Sequence, residues 1–246
     1  MILEHSDRRV LGALRIADIT TGLPVRENVQ VRSNGVQITR NRTGDYVLLN
    51  APGFEEYTAA FPAPPAVPAV GSVLVDFLIE DPTQRYLARR CRVQLPRDAN
   101  PANAETPASI YQPVVVSMYP SPAGTFAASW GLVRASVARV GTGAALSGAL
   151  IRVLRSSDSA LLATGLSDAR GEALVGVPGI PKTLWQEGAG PVLSTELDVT
   201  IETFWDAAAT GVPDPDDLEA RRAALFSATT TAKLSSGRVL AVRLTI

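Results

Sequence analysis

The chain is poor in the residues that carry out chemistry. Its 246 residues include one histidine, His5, and one cysteine, Cys91. A single cysteine excludes an internal disulfide. A single histidine excludes a multi-histidine metal site, and a Ser-His-Asp triad would have to use a residue set among N-terminal charges. No uninterrupted apolar stretch approaches the ~18 residues of a membrane span. The opening segment, Met1 to Arg9, is broken by charges and followed by no apolar h-region. It does not read as a Sec signal, and the expectation is cytoplasmic synthesis. Charge bias is also absent: 23 basic and 24 acidic residues leave a net charge of −1. That offers no electrostatic footprint for nucleic acid or an acidic membrane. Lysine is nearly missing, with only Lys182 and Lys233 among the basic residues. With the abundant alanine, this suggests a GC-rich bacterial genome.

What is present is a globular composition, 46% hydrophobic and 19% charged, and a pattern that occurs twice. The first copy runs Thr21-Gly22, an apolar strand, Asn41-Arg42-Thr43-Gly44, Tyr46 to Leu49, then Pro52-Gly53. The second runs Thr142-Gly143, a strand, Asp168-Ala169-Arg170-Gly171, Leu174 to Val177, then Pro178-Gly179. Asn41 and Asp168 stand where an Asx side chain accepts from the backbone ahead of it. Gly44 and Gly171 stand where a left-handed residue closes the hairpin. Two copies of this strand–turn–strand grammar predict two β-modules in tandem.

Period-two alternation supports that reading. Val73, Val75, Phe77 and Ile79 alternate with Asp76 and Glu80; Leu197, Val199 and Ile201 alternate with Asp198, Thr200 and Glu202. In Leu87 to Leu95 the alternation puts Cys91 on the inward face, where a thiol acts as a small hydrophobe. The expected fold is all-β: two antiparallel β-sandwiches, residues 1–96 and 113–246, joined by a Pro/Ala/Asn-rich linker at 97–112. Pro113 to Pro122 is predicted to open the second module. The last strands of the halves, 86–95 and 238–246, are taken as counterparts. On that alignment the second half carries an insert at 206–236. The insert holds the best helix signal: Asp214 as N-cap, Pro215 at N1, and carboxylates in the first turn. Leu218, Leu225 and Phe226 would form its packing stripe.

The second half resembles carboxypeptidase regulatory-like or transthyretin-like modules. The residues that carry the resemblance are Val137 to Arg155 and Ala163 to Gly179, within a region of 130–179; residues 14–53 resemble the family more faintly. The resemblance implies a seven-stranded β-sandwich of the prealbumin type. The family's hydrolase relative uses histidines and a C-terminal Tyr-Arg-Gly-Ser. This chain has one histidine and ends Val242-Arg243-Leu244-Thr245-Ile246, so that activity is not implied.

The remaining candidates each have a structural reading. Asp206, Asp214, Asp216 and Asp217 could gather calcium, but helix capping already explains Asp214 to Asp217. Glu55-Glu56 beside Tyr57 reads as an exposed turn and not as an acid/base pair. Ser147 lacks the glycine of a nucleophile elbow. Trp130, Trp185 and Trp205 are candidate contacts for a protein partner or a glycan, against a reading as core or rim packing. No cofactor, metal or catalytic residue is expected. The function expected is that of a non-enzymatic structural or interaction protein with protein partners in a larger assembly. A phage-tail-like or contractile-injection particle is its concrete form, and a carbohydrate-binding module the alternative.

Overall fold

Alternating sequence becomes strand along most of the chain. The computed structural model describes residues 9–60, 63, 65–180 and 196–246. It is all-β, and the chain divides into two compact units. The first holds the residues through Asp18, Gly22–Pro82 and Ala88–Met118; the second holds Ile19–Thr21, Thr83–Leu87 and Tyr119–Ile246.

The first unit contains β1 (Gly12–Asp18), β2 (Gln30–Arg32), β3 (Gln37–Arg40), β4 (Tyr46–Asn50), β5 (Val73–Glu80), β6 (Arg89–Leu95) and β7 (Val114–Met118), with a short helix α1 (Glu55–Ala59). One sheet has the order β3-β4-β1-β7 and the other β2-β5-β6. The second unit contains β8 (Gly131–Ala138), β9 (Leu150–Arg155), β10 (Leu161–Leu166), β11 (Glu172–Val177), β12 (Leu197–Trp205), helix α2 (Pro215–Arg221), β13 (Phe226–Leu234) and β14 (Val239–Thr245). Its sheets are β10-β9-β12-β13 and β11-β8-β14. Among the described residues the named strands pair antiparallel except where the first and last strand of each unit run parallel: β1 with β7, and β8 with β14.

The repeated grammar has a repeated geometry. Gly22 N–H donates to Asp18 O and Gly143 N–H to Arg139 O, at 2.8 and 2.9 Å. In the second turn of each copy the Asx oxygen accepts two backbone N–H groups, two and four residues ahead. Asn41 Oδ1 takes those of Thr43 and Asp45; Asp168 Oδ1 takes those of Arg170 and Glu172. Gly44 and Gly171 close these turns with φ of +92° and +72°. At Gly171 a Cβ would also lie 2.4 Å from the carbonyl oxygen of Val137, so the site excludes any side chain.

Burial follows the alternation. In β6, Arg89, Cys91, Val93 and Leu95 are buried while Arg90, Arg92 and Gln94 are exposed. Buried Arg89 donates to the carbonyls of Arg90 and Ser117, at 3.0 and 2.7 Å, which gives its guanidinium acceptors away from water. The second unit's core joins Val133, Ala135 and Val137 of β8 with Ile151 and Val153, Val175 and Val177, and Val199 and Ile201. Each such side chain contributes about 1.5–3 kcal/mol by leaving water.

Four expectations need correction. Residues 97–112 are folded into the first unit and are not an open linker. Asn100 caps a 3-10 turn at Pro101–Asn103, and Asp98 exchanges backbone hydrogen bonds with Ala108 and Ile110. Next, 114–118 does not open the second module: β7 pairs with β1 from Leu14↔Val114 to Asp18↔Met118. Third, the insert is shorter than 206–236, because 226–234 is strand β13, paired with β12 along its whole length. The counterpart of β6 is therefore β13, and β14 corresponds to β7. Phe226 begins that strand, 61% exposed, and is no part of a helix stripe. Finally, Glu55 and Glu56 form the first turn of α1 and not a loop.

Asp45, just after the first Asx turn, ties that turn to β1. Arg15 Nε and Nη2 donate to its two carboxylate oxygens at 2.8 and 2.9 Å. The Arg15 hydrogen bonds, then the Thr43 hydroxyl, hold the Asp45 carboxyl below the usual carboxylate range against the opposing effect of burial. A lowered native value stabilises the fold above the unfolded value of ~3.9, and the gain is lost as pH falls through the native value. Asp45→Asn should therefore cost about 1–2 kcal/mol at pH 7. Urea denaturation should show the gap to the parent protein closing as pH falls below the unfolded value of ~3.9; a gap independent of pH would refute the assignment.

Candidate functional site

The residues between β12 and β13 are the largest excursion from the sandwich plan of the second unit. Asp214 caps α2, its Oδ1 accepting from the N–H groups of Asp216 and Asp217 at 3.2 and 3.3 Å. Pro215 occupies the first turn, where its missing N–H costs nothing. Leu218 is buried in a small cluster with Tyr119, Leu150 and Leu166, with Leu225 packed against it. Charge fixes the rest. Arg221 bridges Asp217 and Asp206 at 2.7 and 2.8 Å. The Arg221 hydrogen bond, then the backbone N–H of Ala208, keep the Asp206 carboxyl below its ordinary range. From the sheet, Arg152 of β9 meets Glu202 at 2.8 Å and Glu219 of the helix at 3.4 Å.

These contacts decide the fate of the acidic cluster. Asp214 is a cap, and Asp206 and Asp217 hold an arginine. Among the described residues, no group of three or more His, Cys, Asp or Glu side chains is arranged to hold a metal ion.

Trp130 and Trp205 each have their own surroundings. Trp130 precedes β8 and stacks at a tilt on Phe126, ring centroids 5.9 Å apart. Both rings lie on Gly176, where a Cβ would come within 2.5 Å of Phe126 and 2.8 Å of Trp130. Trp205 ends β12, donates its indole N–H to Ser147 O at 3.1 Å, and carries the Arg139 guanidinium 5.1 Å from its ring centre. A face of each ring is thus already covered by a neighbour in the chain. Trp185, and His5 with it, lie outside the described residues.

Sequence reasoning missed two features. One is the free edge of β13, whose residues read Phe-Ser-Ala-Thr-Thr-Thr-Ala-Lys-Leu. The other is a groove of about 650 Å³ in the first unit, walled by Ser33, Asn34, Val36 and Pro52 on one side and β5 from Leu74 to Leu78 on the other. The Thr229-Thr230-Thr231 run was a usable strand signal for the first. The second arises from where one strand stops, at the Ser33-Asn34-Gly35 turn.

No protein-family model and no curated protein matches this chain. Among solved structures, the Bacillus anthracis TIE protein is similar at 11% identity and a TM-score of 0.29, covering 96% of this chain. This chain spans about a third of that protein's length, 34%. The shaft pilin SpaA of Lactobacillus rhamnosus GG is similar at 10% identity and a TM-score of 0.23, with 98% of each chain covered. No helix among the described residues is long and apolar enough to cross a membrane.

Asp214→Ala should lower stability by about 0.5–2 kcal/mol, since it leaves two N–H groups without their acceptor. Millimolar Ca²⁺ should leave the melting temperature of both proteins unmoved. A rise of several degrees with calcium in the parent alone would make the cluster a binding site after all.

Proposed function

We propose that this chain is a non-enzymatic structural or interaction protein that joins a larger assembly by the free edges of its sheets. The observation that carries this reading is β13. It is a nine-residue edge strand with a single charged residue, Lys233, no proline, and an exposed Phe226. Natural edge strands are usually short, charged, bulged or covered, because an open row of N–H and C=O groups pairs with other chains. Among the described residues, β13 has none of these protections along Ser227 to Ala232. Beside it in the chain lies the α2 excursion, held in place by Arg152 and Arg221, so the two form a natural partner-facing surface. Ordered excursions of this length are commonly functional. A net charge of −1 sets little repulsion against association.

A phage-tail-like or contractile-injection particle, filled from a cytoplasmic pool, is the concrete form of this proposal. The second unit is read as a carboxypeptidase regulatory-like or transthyretin-like module. Seven strands among its described residues, with the Asx-Gly hairpin at Asp168–Gly171, support that reading. The glycan reading is not favoured, because Phe126 and Arg139 already occupy ring faces of Trp130 and Trp205.

The test places two lysines on the exposed face of β13, Thr229→Lys with Thr231→Lys. These positions face solvent, so melting temperature should change little. In sedimentation of native extract, the parent protein should travel with a large particle and the double variant as a free monomer. A parent protein that sediments alone would sink the proposal. So would saturable binding to a glycan array that is lost in Trp205→Ala.

A further inference from the structure

The two units treat equivalent strands differently. In the second unit, β12 is paired on both sides, with β13 along its length and with β9 from Val199↔Arg155 to Phe204↔Leu150. In the first unit, β5 pairs with β6 from Val73 to Ile79, but β2 covers only Leu78 to Glu80. Val73 to Phe77 have no strand on that side, and among the described residues they make no backbone hydrogen bond outside the β6 ladder. The cause is local. Ser33-Asn34-Gly35 turns the chain away directly after Arg32, with Gly35 at φ +69° and packed on Pro52. The open half of β5 is one wall of the groove described above.

Resting on the reading of the chain as an interaction protein, we propose that this groove receives an extended strand of a partner protein. That strand has apolar residues inward and a lysine or arginine opposite Asp76. The second unit supplies the template. There the equivalent edge is filled by β9, whose Val153 enters the core opposite Ile201 while Leu154 stands opposite Thr200, the counterpart of Asp76; the outward ion pair of Arg152 with Glu202, at 2.8 Å, lies one row further along, at the counterpart of Leu78. In the first unit the inward side is prepared by half-buried Val75 and buried Phe77, with Val36 and Pro52 across the groove. Asp76 points outward, exposed, and forms no ion pair among the described residues. A residue directly opposite on an added strand lies about 4.5–5.5 Å away, closer than any diagonal neighbour. Asp76 is therefore the nearest charge to that residue: Arg32, one row further along, is paired with Glu80 at 3.4 Å, and Arg90 and Arg92 stand on β6, on the far side of β5. Five open residues offer about 17 Å of edge, enough for a strand of ordinary length. Recognition is strand addition: backbone bonds give affinity and alternate side chains give selectivity.

The probe is an end-blocked, fluorescent peptide with the β9 sequence Leu150 to Arg155, titrated into the intact purified protein at low salt. Saturable one-to-one binding is expected, with amide shifts at Val73 to Phe77. Methylating alternate peptide nitrogens should weaken binding at least about tenfold, and replacing both arginines by glutamate at least about fivefold. Asp76→Arg should reverse the order of the arginine and glutamate peptides, and the isosteric Asp76→Asn should abolish the difference. Absence of saturable binding, indifference to methylation, an unchanged order in Asp76→Arg, or shifts at Val199 to Phe204 instead would each overturn the proposal. The outcome is separable from the assembly reading: peptide failure with particle association retained sinks the groove alone. Peptide binding by a protein that sediments alone sinks the β13 reading alone.

Discussion

The length of the second strand decides which sheet receives the third. β9 runs for six residues, Leu150–Arg155, before it turns, so β10 can fold back on it as a hairpin. β2 has only three, Gln30–Arg32, before Ser33-Asn34-Gly35. A hairpin on three residues would form too few ladder bonds to offset the ordering of its chain. β3 instead pairs with β4, extending the other sheet. From the same order of seven strands, one turn position thus gives sheets of four and three strands with the third strand moved between them. The groove beside β5 is the space this move leaves.

The same contrast organises the charges. Where the second strand is long, an arginine stands opposite an acid: Arg152 meets Glu202 and also reaches Glu219 of α2. One side chain thereby couples sheet to helix, and its pairing with two carboxylates compensates its partial burial. Where the second strand is short, Asp76 has no such neighbour on that side. Its remaining cross-strand neighbour is Arg92 of β6. The first unit has an exposed pair between these strands, Arg32 with Glu80 at 3.4 Å, and a more buried one at Arg15 and Asp45, which secures the hairpin between β3 and β4.

Features with a local cause were legible in the sequence. The Asx-Gly turns, the alternation that buries Cys91, and the Asp214 cap each depend on residues within a few positions of one another. β13 escaped because an edge strand buries little: only Leu234 in it is fully covered, so the apolar alternation that marks an inner strand is missing. β7 escaped because its partner is β1, about a hundred residues earlier, and no short-range pattern reports a parallel pairing. Its Pro- and Asn-rich approach, 97–112, looked like a linker by composition. Asp98 and Asn100 use those same residues for turns and caps that hold the segment against the unit.

The edges themselves are not alike, and the difference separates protection from use. β6 presents Arg90 and Arg92 on its outward face, and β3 ends at Arg40, whose guanidinium reaches Asn28 and lies 5.5 Å from the Tyr46 ring centre. Charges so placed oppose the approach of a second sheet, since pairing would strip water from a guanidinium. β13 offers threonine, serine and alanine, which give up little hydration on pairing. The open half of β5 offers Leu74 and Val75, which gain from it, and one acid with a base on its β6 side alone. Between them β13 and the open half of β5 carry only Lys233 and Asp76 as charged residues. Unguarded edges in a protein of almost no net charge would be a standing aggregation hazard unless a partner normally covers them. That physical cost is the reason to read them as binding surfaces and not as oversights of the fold.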